Sequence, residues 1–319
     1  MKNGGWWCSA AGRIVAAVRA EMSRQLKLLQ AGESVVRRVP RSVLKPVSTA
    51  IGVASRAYAR GGRRQAAIHQ QRVTPGLHGW RLERRVDEVY SGYATYWLES
   101  LRLPYLSRQQ INDAIAVHGY EHVEAGLAAG KGVILALPHL GGWEWAGRWL
   151  ADQGVDVVAV AERLGDEKVH RYLTDLRATL GVTVIELDAS SGTKVLAALR
   201  SNAVVCLISD RDLQGGGVEV DFFGERTTVP GGPATLALRT GATVLPTAVF
   251  HSPGIDGHIG LVKPPIPIER CSKSLRDDVE RITQHLTNEL AEFIERAPAQ
   301  WHLLQPNWPS DHKVGRRGG

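Results

Sequence analysis

The stretch Val133-Ile134-Leu135-Ala136-Leu137-Pro138-His139-Leu140-Gly141-Gly142-Trp143-Glu144 changes character twice within a few residues. Its opening apolar run, 133–137, is too short for a buried helix and carries β-branched residues, so it reads as an interior strand. Pro138 cannot continue a ladder and Gly141-Gly142 supplies a turn. The sequence from Trp143 to Leu150, with Trp145, Ala146, Trp149 and Leu150 among polar positions, then reads as a helix.

Downstream the same order repeats. Val155–Val160 is a second apolar run, 167–180 has helical spacing, Val182–Glu186 is a strand, Lys194–Arg200 a helix, and Ala203–Ile208 a third interior strand. Further strands are expected at 218–223, 243–250 and 258–262, with a helix near 233–240 and a long amphipathic helix over 275–295. Alternation at this spacing predicts an α/β fold: a single domain with a central, mostly parallel mixed sheet flanked by helices on both faces. There is no internal repeat.

The upstream part differs. Residues 1–80 hold 14 Lys and Arg against Glu21 and Glu33, a local balance of +12 in a chain of net charge +7. Ile14, Val15, Val18, Met22, Leu26 and Leu29 recur at helical spacing between Arg13, Arg19, Arg24 and Lys27, with Trp6 and Trp7 just before. That pattern is a basic amphipathic helix, suited to an anionic membrane surface or to packing on the protein's own core. A second helix is expected over 43–60, stopped by Gly61-Gly62, and a third over 82–101 with Val86, Val89, Tyr90, Tyr93, Tyr96 and Trp97 on its apolar side. The expected division is a basic amphipathic extension over 1–40, the main α/β domain over 41–310 and a mobile tail over 311–319.

Charge interrupts the best N-terminal candidate well short of the ~20 apolar residues of a membrane span, and Arg13 cuts short any export signal. Cys8, Cys206 and Cys271 lie far apart without a Cys-x-x-Cys pair, so neither a disulfide framework nor a zinc ribbon is expected. The basic segment alone would also suit nucleic acid, but no nucleic-acid motif accompanies it, and none is expected as a partner.

Chemistry concentrates where strands end, since open α/β sheets place their sites beyond the carboxyl ends. His139 sits at one such end, and Glu144 follows in the first turn of the next helix. A histidine there can act as general base, or it can merely cap the helix while Glu144 meets the helix dipole. The next strand ends carry Glu162-Arg163 and Ser209-Asp210-Arg211-Asp212, and Arg177 could pair with any of these carboxylates in a structural ion-pair network. No Gly-x-Ser-x-Gly elbow occurs, which disfavours a serine esterase.

Leu137-Pro138-His139-Leu140-Gly141-Gly142-Trp143-Glu144, Val160-Ala161-Glu162-Arg163-Leu164, Ser209-Asp210-Arg211-Asp212-Leu213, Val220-Asp221-Phe222-Phe223-Gly224, Pro230-Gly231-Gly232-Pro233-Ala234 and Trp301-His302-Leu303-Leu304-Gln305-Pro306 occur in this order. Over residues 40–310 the chain thereby resembles the lysophospholipid acyltransferase superfamily, in the branch holding lipid A biosynthesis acyltransferases and actinobacterial phosphatidylinositol mannoside acyltransferases. The resemblance implies transfer of a long acyl chain, palmitoyl from acyl-CoA in the mannoside branch, to a sugar hydroxyl of a membrane glycolipid at the cytoplasmic face of the plasma membrane. It implies no metal and no cofactor besides the acyl-CoA co-substrate.

It further implies His139 as the base, with Glu144 and Asp210 as its carboxylates, and Glu162, Arg163, Arg177 and Arg211 along the substrate groove. Two positions depart from the pattern. The family often has Asp where this chain has Glu144, and the mannoside branch has Glu where this chain has Asp210, one methylene shorter. Either the Asp210 loop comes closer to His139, or Glu144 orients the histidine instead.

Overall fold

A computed structural model of the 319-residue chain describes residues 26–38, 40–252 and 257–311. The expected helix over 9–29 lies outside them except for its last turn, and so does the tail from 312 onward.

Helix α1, residues 26–36, leads into α2 (Arg41–Tyr58), α3 (Arg60–Val73) and α4 (Gly79–Arg102). After a 3₁₀ turn and α5 (Arg108–Asp113) come β1 (Ile115–His118), α6 (Tyr120–Ala128), β2 (Val133–Leu137), α7 (Trp143–Asp152), β3 (Val157–Ala161), α8 (Glu167–Thr179) and β4 (Val182–Glu186). The chain continues through α9 (Ser191–Arg200), β5 (Val204–Ile208), β6 (Val218–Phe222), β7 (Glu225–Val229), α10 (Gly232–Thr240), β8 (Thr243–His251), β9 (His258–Val262) and α11 (Leu275–Arg296).

Seven strands form one sheet in the order β1-β9-β8-β2-β5-β3-β4, parallel throughout except for the β8–β9 pair; β6 and β7 form a separate antiparallel hairpin. This is the expected α/β domain. The central strand β2 is buried along its whole length, as its unbroken apolar run requires. Ile134, Ala136, Val205 and Leu207 face α9, α10 and α11, while Leu135 and Leu137 face Trp145 and Leu150 of α7. Each such large aliphatic side chain contributes roughly 1.5–3 kcal/mol by leaving water.

Three expectations need correction. The break after α2 falls at Ala59, and Gly61-Gly62 lie inside α3 instead of stopping the preceding helix. Gly62 serves contact: a Cβ there would meet the Tyr90 hydroxyl at 2.4 Å where α3 crosses α4. The described end of the 1–40 segment is part of the body, since Leu29 and Val36 pack with Leu44, Leu98 and Leu101. Asp311, assigned to the mobile tail, is buried and bonds His69 and Arg72 of α3.

Candidate active site

Register explains the site. β2 and β5 are parallel neighbours with Leu137 opposite Ile208, and the Ser209 amide extends the ladder by donating to the Leu137 carbonyl at 2.8 Å. His139 and Asp210 each stand two residues beyond that last pair, at the same height on adjacent chains. Alternation puts both on the face of Leu135, Leu137, Cys206 and Ile208.

The His139 Nδ1 is 2.7 Å from Asp210 Oδ1. Asp210 Oδ2 accepts the His139 amide at 2.9 Å and the Trp301 indole N–H at 2.8 Å. Burial pushes the Asp210 carboxyl up, but His139 and these donors outweigh it and the net shift is downward. Asp210 is therefore an acceptor-only carboxylate, which assigns the Nδ1 proton to His139 and leaves Nε2 as the lone-pair nitrogen. The Asp210 side chain is 0% exposed whereas that of His139 is 28% exposed, so the pair is anchored inside and presents one ring edge outward.

The loop carrying His139 is tied down from both sides. Gly141 donates to the Gln300 carbonyl, Gly142 to the Val249 carbonyl and the His302 amide to the His139 carbonyl. Gly141 has φ +65°, and a Cβ there would lie 1.7 Å from the Val249 oxygen, so only glycine fits this close crossing of loop and strand.

Glu144 belongs to a different set of partners. Its Oε1 accepts from Arg177 Nε at 2.9 Å, Arg177 Nη2 at 2.5 Å and the Tyr96 hydroxyl at 3.0 Å. Its charge raises the Arg177 pKa, and with burial it raises that of Tyr96. Arg177 thus chooses Glu144 among the available carboxylates, and the pair links α7 to α8 with Tyr96 of α4 beside it.

These groups line a cavity of about 950 Å³, at the upper end of the ~300–1,000 Å³ typical of small-molecule sites. Leu135, Leu137, Ala159, Cys206 and Ile208 give it an apolar floor on the sheet, and Trp143, Gly147 and Trp149 form the α7 wall. Tyr93, Tyr96 and Trp97, on the apolar side of α4, line the same cavity as His139. Burial also pushes the Cys206 thiol up to about 12, so it is an inert lining group. Glu162, Arg177 and Arg211 reach the cavity. Arg163 does not: it bonds Glu167 at 2.9 Å with a largely exposed side chain.

Sequence reasoning passed over His302 and Trp301 as functional residues. Trp301 holds Asp210, and His302 is buried against Tyr93, Tyr96 and Trp143 on the cavity wall. Burial, with His251 and His139 nearby, pushes the His302 pKa well below 6.5, so this ring is neutral. The signal was the Trp-His pair just after the last helix, which spacing alone does not connect to His139.

The comparisons with known proteins agree with this architecture. The family described as "Bacterial lipid A biosynthesis acyltransferase" matches residues 23–310. A protein of Mycolicibacterium smegmatis named phosphatidylinositol mannoside acyltransferase is 36% identical over 291 residues, 90% of this chain and 92% of that protein. One of the same name from Mycobacterium tuberculosis is 41% identical over 231 residues, 70% of each. A lipid A biosynthesis acyltransferase of Haemophilus influenzae is 24% identical over 248 residues, 76% of this chain and 74% of that protein. A matched segment spanning most of the chain, including every strand of the sheet and the His139–Asp210 pair, establishes that the chain belongs to the bacterial lipid A biosynthesis acyltransferase family.

Proposed function

We infer that the protein moves a long fatty acyl chain, palmitoyl, from acyl-CoA to a mannose hydroxyl of phosphatidylinositol mannosides. The observation that carries the chemistry is the His139–Asp210 pair opening onto an apolar cavity. In this reading His139 Nε2 takes the proton from the acceptor hydroxyl as its oxygen attacks the thioester carbonyl. The tetrahedral adduct collapses with cleavage of the C–S bond, and the imidazolium returns its proton to the departing thiolate. Asp210 stays ionised, holds the tautomer and stabilises the transient imidazolium, as a buried carboxylate does for a catalytic histidine.

Glu144 is then a positioning residue: with Arg177 it fixes α7 against α8 and thereby the cavity wall. The apolar floor suits the acyl chain, and in this reading Arg211 and Glu162, which line the same cavity, bind polar parts of donor or acceptor. No helix among the described residues is long and apolar enough to cross a membrane. Val43, Val47 and Ile51 instead form an exposed apolar stripe on α2, each four residues apart, and Leu28 and Val35 are exposed on α1. Such a stripe in a segment rich in Lys and Arg supports peripheral docking on an anionic bilayer, at the cytoplasmic face of the plasma membrane.

The test is transfer by purified protein from labelled palmitoyl-CoA to phosphatidylinositol mannosides, lysophospholipids and lipid A precursors, with His139→Ala alongside. Mannoside acylation that vanishes in the variant is expected. Transfer confined to another acceptor would refute the substrate, and transfer by His139→Ala at the parent rate would refute the base.

A further inference from the structure

Behind the His139 loop lies a second cluster that the acyl-transfer chemistry does not use. Glu99 comes from the last turns of α4, His251 ends β8 and His258 begins β9, directly opposite His251 in the antiparallel register. Glu99 Oε2 is 3.0 Å from His258 Nε2 and 3.3 Å from His251 Nδ1, and one donor atom from each of the three residues lies within 4.8 Å of the others. We propose that Glu99, His251 and His258 form a structural site for a divalent transition ion, of which Zn²⁺ is the best fit.

The donor set is what a borderline-soft ion takes: two imidazole nitrogens and one carboxylate oxygen. Ligands placed ~2.0–2.2 Å from a tetrahedral zinc stand about 3.4 Å apart, so the two short separations need only small adjustments. The Trp145 ring stacks on His258 with centroids 4.4 Å apart, fixing the plane of one ligand.

Gly142 packs closely on the cluster: a Cβ there would come within 2.9 Å of His258 Nε2 and 3.5 Å of His251 Cε1, so a side chain at this position would collide with the ligand rings. Three protein donors leave a fourth coordination position for a water molecule. An ion here ties α4 to the β8–β9 pair immediately behind Gly141-Gly142, the loop that carries His139. It takes no part in proton or acyl transfer, and the site stands apart from the choice of substrate.

The experiment uses the full chain without a histidine tag, stripped with EDTA, dialysed and titrated with Zn²⁺ against a chromophoric chelator, with Co²⁺ as a spectroscopic substitute. One equivalent per chain is expected, with visible Co²⁺ bands of four-coordinate intensity and a melting temperature that rises on adding Zn²⁺. Glu99→Gln, which keeps size and removes charge, loses the equivalent, whereas His285→Gln at the surface retains it. A parent chain that binds less than a tenth of an equivalent and gives no Co²⁺ bands overturns the proposal whatever the variants do. Full binding by a folded Glu99→Gln variant overturns it equally, leaving the cluster as a hydrogen-bonded Glu-His-His group.

Discussion

Replacing Asp210 by Asn tests the carboxylate that bonds His139. The native carboxylate accepts three N–H groups, with His139 Nδ1 on Oδ1 and the His139 amide and Trp301 indole on Oδ2. Asn has the same size but only one acceptor oxygen. If that oxygen stays with the amide and the indole, its NH₂ faces Nδ1, which must then accept, and the ring proton moves to Nε2 where the substrate's proton should arrive. If it turns over, the NH₂ confronts two buried donors at roughly 1–3 kcal/mol each with no water to relieve them. The first arrangement therefore wins: the fold survives and the tautomer is wrong. General-base catalysis is worth ~10²–10⁴-fold, or about 2.7–5.4 kcal/mol at 1.36 kcal/mol per decade. The kcat for acyl transfer should fall by that factor with KM unchanged, because Asp210 is sealed from the cavity. Labelled transfer assays on protein whose circular dichroism and Tm match the parent measure it. A folded Asp210→Asn variant within tenfold of the parent kcat would refute the assignment.

Arg177→Met leaves the nearly buried Glu144 carboxylate without its cation, so thermal or denaturant unfolding should show a loss of about 3–5 kcal/mol. Adding Glu144→Gln should recover most of it, and a double variant no more stable than the single would contradict the pairing. Gly141→Ala must displace the loop or Val249, since its Cβ would lie 1.7 Å from a backbone oxygen. We expect a loss of at least ~3 kcal/mol, read as Tm and soluble yield, and a parent-like Tm would show that the loop has another path. For His302 the folded pKa lies below the unfolded 6.5, so its contribution is fully present above pH 6.5 and is lost as pH falls toward the folded value. His302→Phe should flatten the decline in Tm between pH 6.5 and 5, because its ring nitrogens have no hydrogen-bond partner to lose.

The strands that host the chemistry were legible because each is a short apolar run bounded by turn residues: β2, β4 and β9 occur over the predicted spans, and β3, β5 and β8 within two residues of them. The elements that were missed have weaker patterns. β1 is the four-residue edge run Ile-Ala-Val-His, and β7, Glu-Arg-Thr-Thr-Val, has no apolar alternation strong enough to mark it. Gly61-Gly62 misled because glycine after an amphipathic stretch signals a helix stop, whereas here the need for contact with Tyr90 decides. Arg163 misled for a related reason: adjacency to Glu162 in sequence says nothing about which of two successive side chains leaves a strand end toward the cavity.

The choice between Asp210 and Glu144 as His139's partner turns on strand order, which alternation of apolar runs does not reveal. α7, β3, α8, β4 and α9 separate β2 from β5 along the chain, yet β5 inserts beside β2 in the sheet. Parallel neighbours in register bring equivalent positions past their ends within side-chain reach, and the backbone does the bridging that a longer carboxylate would otherwise supply. The His139 amide bonds the same carboxylate that holds its ring, so loop and imidazole are set by one group. Glu144 sits five residues along a loop that turns into α7, where Arg177 and Tyr96 meet it before His139 can. The short Asp210 side chain is thus long enough for this proton-transfer geometry, and Asp210→Glu should be hard to accommodate. The carboxylate is fully enclosed and already accepts three donors, so the extra methylene must displace Trp301 or the His139 amide. A reduced kcat with a lowered Tm is the expected result for that variant, and parent-like values for both would show that the enclosure is looser than its hydrogen bonds imply.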